Sequence, residues 1–311
     1  MRILILGAGA LGGYFGARLL AAARDVTFLV RPRSAQQLAE HGLQLFSTRG
    51  DVFIQHPPTL LAEDLHQPYD LILLSCKAYD LAAAIASIAP AVGPESAILP
   101  MLNGTAHMAI LDQRFGRERV LGGTCFISAM RDADGTIRHL NDRDGLFFGD
   151  RFEPSSPRMD AIAAALTGAN FNAQLRPVIL QDVWEKWTFI AALASVTCLM
   201  RASVGDIVAV DATLPARLLA ECAAIAQSEG FPPSQAFLDL HRAILTKPGS
   251  GFTASMLRDL EDGSPIEAYQ IIGDLLEYGR RRRLTTPLLE IACTHVRCYE
   301  ERRRREETAR A

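Results

Sequence analysis

The apolar run Arg2–Leu6 breaks into GAGALGG, Gly7–Gly13, and small and apolar residues at helical spacing follow to Ala23. No other juncture constrains the fold as much. A short run of branched aliphatics reads as a buried strand. Gly7 permits a tight turn after it, Gly9 lets the backbone approach a pyrophosphate, and Gly12 allows close helix–strand packing. The helix start then offers N–H groups and partial positive charge to phosphates. The turn Gly7-Ala8-Gly9-Ala10-Leu11-Gly12 is therefore expected to bind a dinucleotide. A lone G-x-G-x-x-G is weak evidence. This one follows a strand, opens a helix and leads to a second strand, Val26–Val30.

Short apolar strands keep alternating with helices beyond it: a helix at Arg33–His41, strands at Leu43–Phe46 and Leu71–Ser75, a helix at Leu81–Ile88, a strand at Ala97–Leu102, a helix near His107–Phe115 and a strand at Val120–Phe126. This pattern predicts a parallel sheet with helices on both faces. Gly135–Gly149 reads as a hairpin, Thr136–His139 and Gly145–Phe148 around Asn141-Asp142. From about Val178 strand signals vanish. Helical patterns cover 180–200, 211–229, 234–246, 265–282 and 286–304, punctuated by Pro232-Pro233, Lys247–Gly251 and Thr286-Pro287. The expected architecture is an α/β Rossmann-type N-terminal domain, 1–177, plus an all-α C-terminal domain, 178–311.

Ligands of open α/β sheets bind beyond the carboxyl ends of the strands. The second strand ends in Arg31-Pro32-Arg33 with no carboxylate, which suits a 2′-phosphate and so NADPH better than the 2′-hydroxyl of NADH; a plain surface arginine is the alternative. Lys77 follows LILLSC and Asn103 follows ILPML, both at strand ends facing the expected crevice. Lys77 also reads as an exposed lysine, and Asn103 as a turn residue tolerant of left-handed geometry.

With 49% apolar and 22% charged residues, composition fits a soluble globular protein, and the net charge of −3 argues against a general nucleic-acid-binding surface. Six scattered cysteines without a CxxC read as reduced thiols, neither a disulfide framework nor a zinc site, and no metal is expected. Cys76 reads as a buried strand-end thiol, with a reactive one as the alternative. His107 and His139 lack metal-spaced partners. Ile3–Leu6 is too short for a signal-peptide core, and Trp187–Met200 falls short of the roughly 20 residues a bilayer needs, so a cytoplasmic protein with a buried core helix and no membrane partner is expected. The charged ERRRREETAR near the end reads as a solvated helix end. The long helices leave a homodimer possible.

The ordered series ILILGAGALGGYFGARL, CKAYD, LPMLNG, GGTCFISA, WEKWTFIAA, TASMLRDL and SPIEAY resembles the ketopantoate reductase (2-dehydropantoate 2-reductase) family over almost the whole chain. The resemblance implies a Rossmann domain and a helical domain with the active site between them, and NADPH-dependent reduction of a 2-keto acid to a 2-hydroxy acid. It implies that Lys186 is the catalytic general acid, a role the sequence alone assigns to no particular lysine. Glu267 would contact the cofactor, as would Lys77. Asn103 would lie near both nicotinamide and substrate, and Ser255 would bind the substrate carboxylate.

The chain also departs from the family pattern. Asparagines four and eight residues beyond the catalytic lysine are replaced by Ile190 and Ala194, and one before Gly205 by Val204. The acidic helix reads Pro265-Ile266-Glu267-Ala268, with Ile272-Gly273 where Asn-Gly is common. Substrate contacts are thus expected at Asn103, Lys186, Ile190, Ala194 and Ser255, with a bulkier or more apolar 2-keto acid than ketopantoate in view. Membership of pantothenate biosynthesis would follow only for a true ketopantoate reductase. Two alternatives stay open: a 3-hydroxyacid-type dehydrogenase, disfavoured by GGTCFISAMRDADG in place of a Ser-Gly-Gly loop, and a non-catalytic NADPH-binding sensor, disfavoured by the retained Lys186 and Glu267.

Overall fold

The computed structural model describes residues 1–310, which divide into two compact units. One comprises Met1–Leu102 and His107–Ile179; the other comprises Asn103–Ala106 and the chain from Leu180 on.

The first unit opens with β1 (Arg2–Leu6), α1 (Ala10–Ala21), β2 (Asp25–Leu29) and α2 (Pro32–His41), then β3 (Leu43–Phe46), β4 (Val52–Ile54) and β5 (Thr59–Leu60). It continues through β6 (Leu71–Leu74), α3 (Leu81–Ile88), β7 (Ala97–Pro100) and α4 (Ala106–Phe115). β8 (Gly122–Arg131), β9 (Ile137–Gly149), α5 (Pro157–Leu166) and β10 (Asn172–Leu175) complete it. Five strands form a wholly parallel sheet in the order β5-β2-β1-β6-β7. Ile3, Leu4 and Ile5 of β1 are completely buried, each stabilising the fold by about 1.5–3 kcal/mol relative to exposure. Both faces are covered, which is why β1, β6 and β7 are near-continuous aliphatic runs.

Two sequence expectations fail here. Leu43–Phe46 and the Val120–Phe126 region do not join the parallel sheet, although Val120 bridges Ile98. They belong to a second, mixed sheet in which β9 pairs with β3, β8 and β10, and β3 with β4. The hairpin around Asn141-Asp142 is also absent: β9 runs unbroken through both residues, antiparallel to β8. The chain instead turns at Asp132–Gly135, where Gly135 has φ +95° and the Asp132 N–H donates to the Thr136 carbonyl. Asn141 serves a different irregularity. Its side-chain oxygen accepts from the Ser128 N–H beside a register shift between Ile127 and Ala129. β4, β5, α5 and β10 were not legible in the sequence, being short or weakly apolar.

α1 lies between the two sheets, and glycine makes it thin enough. A Cβ on Gly13 would sit 2.1 Å from the Ile137 side chain, and one on Gly16 2.3 Å from the Phe28 ring.

The second unit is helical: α6 (Ile179–Met200), α7 (Val204–Val210), α8 (Leu214–Ser228), α9 (Gln235–Leu245), α10 (Ser255–Glu261), α11 (Asp274–Arg281) and α12 (Pro287–Arg310). α7 and α10 were not anticipated. α6 is long and apolar enough to cross a bilayer by length and composition, yet 72% of its most apolar window is buried within the protein, the signature of a core helix. The expected helix 265–282 is interrupted. A π-helical turn at Tyr269–Gly273 precedes α11, and Pro265–Glu267 lie outside any helix.

Candidate active site

The glycine turn sits where the strand order of the parallel sheet reverses, because β1 pairs with β2 on one side and with β6 on the other. Gly7 has φ +86°, which favours glycine. A Cβ on Gly12 would fall 2.2 Å from the Gly7 carbonyl oxygen and 2.4 Å from Ser75 Oγ, so only glycine lets α1 start this close to the strands. Gly9 differs: a Cβ there would meet nothing within 4 Å. It is the N-cap of α1, and no side chain caps the helix. The first-turn N–H groups and the open space over Gly9 are what an incoming pyrophosphate requires. Ser75, which the sequence did not single out, donates to the Leu6 carbonyl at 2.6 Å and ties the ends of β1 and β6 together beneath the turn.

Arg31 follows β2 and is largely exposed, but its guanidinium pairs with Asp80 at 3.3 Å. Asp80 ends a 3₁₀ turn, Ala78–Asp80, that leads into α3 after β6. Lys77 is exposed at the start of that turn, and Cys76 is half-buried.

In the helical unit, Lys186 Nζ donates to Asn103 Oδ1 at 3.0 Å. The Asn-Gly turn thus belongs by its contacts to the helical unit, although it directly follows β7 and Met101-Leu102. Neighbours of both residues are pinned. Gly104 has φ +74°, and a Cβ there would lie 2.7 Å from the Gln270 carbonyl. The Trp187 indole N–H donates to the Ile271 carbonyl at 2.9 Å. Gln270 and Ile271 both lie in the π-helical turn, a distortion common at functional sites. The turn therefore braces the residues next to Asn103 and next to Lys186, a role no single sequence signal revealed.

Ile190 and Ala194 share the Lys186 face of α6. Ile190 is half-buried against the helical core and Ala194 is buried in it. Val204 is fully buried, and its N–H donates to the Phe252 carbonyl. With Gly205 packed on Ser250, that bond anchors the loop ahead of α10. Ser255 is exposed at the first position of α10. Glu267 is buried. Its segment is held from α12, where Glu300 accepts from the Ile266 N–H and the Tyr299 hydroxyl donates to the Ser264 carbonyl.

Asp274 follows the π turn. Burial raises its carboxyl to about 6, and no donor reaches Oδ2. In the first unit, burial and the nearby Arg151 charge lower His107 to about 3, so it stays neutral at physiological pH. Burial pushes the Cys198 thiol up to about 12, which suits inert core packing. Among the described residues, no group of three or more His, Cys, Asp or Glu is placed to hold a metal ion.

Comparison with known proteins places these features in context. Residues 3–151 match the family model for ketopantoate reductase PanE/ApbA, and residues 178–300 match that for its C-terminal domain. The chain is 34% identical over 302 residues to the uncharacterized oxidoreductase YkpB of Bacillus subtilis, covering 96% of this chain and 99% of YkpB. It is similar to the crystal structure of 2-dehydropantoate 2-reductase from Geobacter metallireducens, with a TM-score of 0.88, 29% identity, and coverage of 96% and 99%. A D-mandelate dehydrogenase crystallised with NADH and anilino(oxo)acetate shares the fold at a TM-score of 0.87 and 21% identity, covering 98% of this chain and 100% of that one.

Proposed function

The chain belongs to the ketopantoate reductase family, and from that membership together with the Lys186–Asn103 pair we propose that it is an NADPH-dependent reductase of a 2-keto acid. The 3.0 Å hydrogen bond between Lys186 and Asn103 is the observation that carries the reading. It holds an ammonium in one place on a helix whose adjoining surface is apolar, as a proton donor to a developing alkoxide should be held.

Bound NADPH would supply the hydride for the keto carbon. The backbone N–H groups of Gly7–Gly12 (Gly7, Ala8, Gly9, Ala10, Leu11, Gly12) would hold its pyrophosphate, and Arg31 its 2′-phosphate, with Lys77, Asn103 and Glu267 as further contacts. As the carbonyl π electrons move onto oxygen, the Lys186 ammonium stabilises the charge and gives up its proton to form the hydroxyl. Asn103 fixes the ammonium through its side-chain oxygen and can donate to the substrate through its amide NH₂. Ser255 offers a hydroxyl to the substrate carboxylate.

Ile190 and Ala194 favour a bulkier or more apolar acid over ketopantoate. Each amide contact removed from a polar substrate shifts selectivity by about 1–3 kcal/mol. The test is NADPH oxidation followed by absorbance across ketopantoate and a series of branched and aromatic 2-keto acids. A higher kcat/KM for an apolar member is expected, and a clear preference for ketopantoate would overturn the substrate assignment. Lys186→Met should lower kcat by about 10²–10⁴-fold while NADPH still binds. NADPH binding with no turnover on any acid would favour a sensor instead.

A further inference from the structure

The end of β2 carries no carboxylate in the sequence, yet the fold delivers one there. Asp80 comes from the segment after β6, and Arg31 from the segment after β2, so their ion pair crosses the end of β1, the strand that lies between them and leads into the glycine turn. Neighbouring strands lie about 4.8 Å apart, so the long arginine, meeting a short aspartate, bridges roughly twice that distance. A ligand on the turn therefore meets a paired arginine rather than a bare one. Both side chains are accessible, at 77% and 42% exposure, and the pair is not sealed into the core. Asp80 makes no side-chain cap to α3, so its carboxylate is committed to Arg31 rather than to its own helix.

We propose that Asp80 is a specificity-determining residue for the cofactor. Resting on the reading of the glycine turn as a dinucleotide site, the assignment gives the carboxylate two effects. It competes with the 2′-phosphate of NADPH for the Arg31 guanidinium and repels that phosphate. It also offers an acceptor to a ribose 2′-hydroxyl, the role a carboxylate plays at NADH sites. The chain would then use NADPH with a weaker preference than its arginine alone implies, and NADH would remain usable.

The experiment measures NADPH and NADH dissociation constants by fluorescence titration for the wild type, Asp80→Asn, Arg31→Ala and the double variant, at low and high salt. Asp80→Asn, nearly isosteric, should raise the preference for NADPH about two- to fivefold at low salt, the scale of one exposed ion pair, and less at high salt. In the Arg31→Ala background the same change should shift NADPH binding much less. An unchanged ratio in Asp80→Asn, or weaker NADPH binding, would overturn the assignment, the latter making Asp80 a support that orients Arg31 for the phosphate. An undiminished effect without Arg31 would overturn the competition. A wild type that binds neither nucleotide would overturn both this assignment and the dinucleotide reading, whereas binding of either with no Asp80 effect would overturn the assignment alone.

Discussion

Alanine at Gly9 and alanine at Gly12 should fail in opposite ways. At Gly12 the new Cβ would lie 2.2 Å from the Gly7 carbonyl oxygen, 2.4 Å from Ser75 Oγ and 3.2 Å from Ile5 Cγ2. The serine could rotate away by giving up its bond to Leu6, but the carbonyl is backbone and Ile5 is fully buried. Relief therefore requires α1 to move off the sheet, and overpacking of this kind costs about 1–3 kcal/mol. For a unit of this size that is about 2–12 °C in Tm. At Gly9 the Cβ would meet nothing, and the backbone, at φ −78°, already suits alanine. Stability should fall by only about 0.5–1 kcal/mol, the preference for glycine over alanine at an N-cap. The methyl group would nevertheless project into the space a pyrophosphate needs, so NADPH affinity should fall about tenfold or more, as expected for a steric clash at a bound phosphate. Thermal unfolding without nucleotide, paired with NADPH titration, separates the two outcomes. Gly9→Ala binding NADPH as tightly as the wild type, or Gly12→Ala unfolding at the wild-type temperature, would refute this account of the turn.

Other outcomes follow from the helical unit. Gly104→Ala must hold alanine at a left-handed φ against the Gln270 carbonyl, costing about 1–3 kcal/mol. It should also lower kcat by displacing Asn103 from Lys186; a full-activity variant with normal Tm would count against the bracing role of the π turn. Asp274 titrates at about 6 in the folded chain against an ordinary 3.8. The folded state thus holds this proton more tightly than the unfolded one. Its burden on stability is absent below about pH 4, grows as pH rises through 6, and reaches about 3 kcal/mol above it. Asp274→Asn should therefore raise Tm at pH 8 and leave it nearly unchanged at pH 4, as followed by calorimetry. Equal gains at both pH values would exclude the ionisation as the cause.

The chain itself determined a good deal. Periodicity placed β1, α1, β2, α2, β6, α3, β7 and the helices α6, α8, α9 and α12 close to where they lie, because fully buried strands and regular helices write their burial into consecutive residues. Glycine spacing determined the turn, since only a residue without a side chain allows the approach of α1 to Gly7. The second sheet was legible only in part. Leu43–Phe46 and stretches of β8 and β9 read as strands, but that they form a separate sheet, and where the chain turns, did not, for the complementary reason. Its strands are half-exposed, and Asn141-Asp142 has the composition of a turn but sits at a strand irregularity, while Asp134-Gly135 holds the turn itself.

Pairings across sequence distance were decided only by tertiary structure. Lys186 finds Asn103 across 83 positions, and Trp187 finds the π turn across 84. Asp80 meets Arg31 only because the sheet sets β2 and β6 on either side of β1, close enough for the pair to cross its end. A strand end announces in sequence which charge it carries, but strand order, set by sheet topology, decides which charge stands opposite.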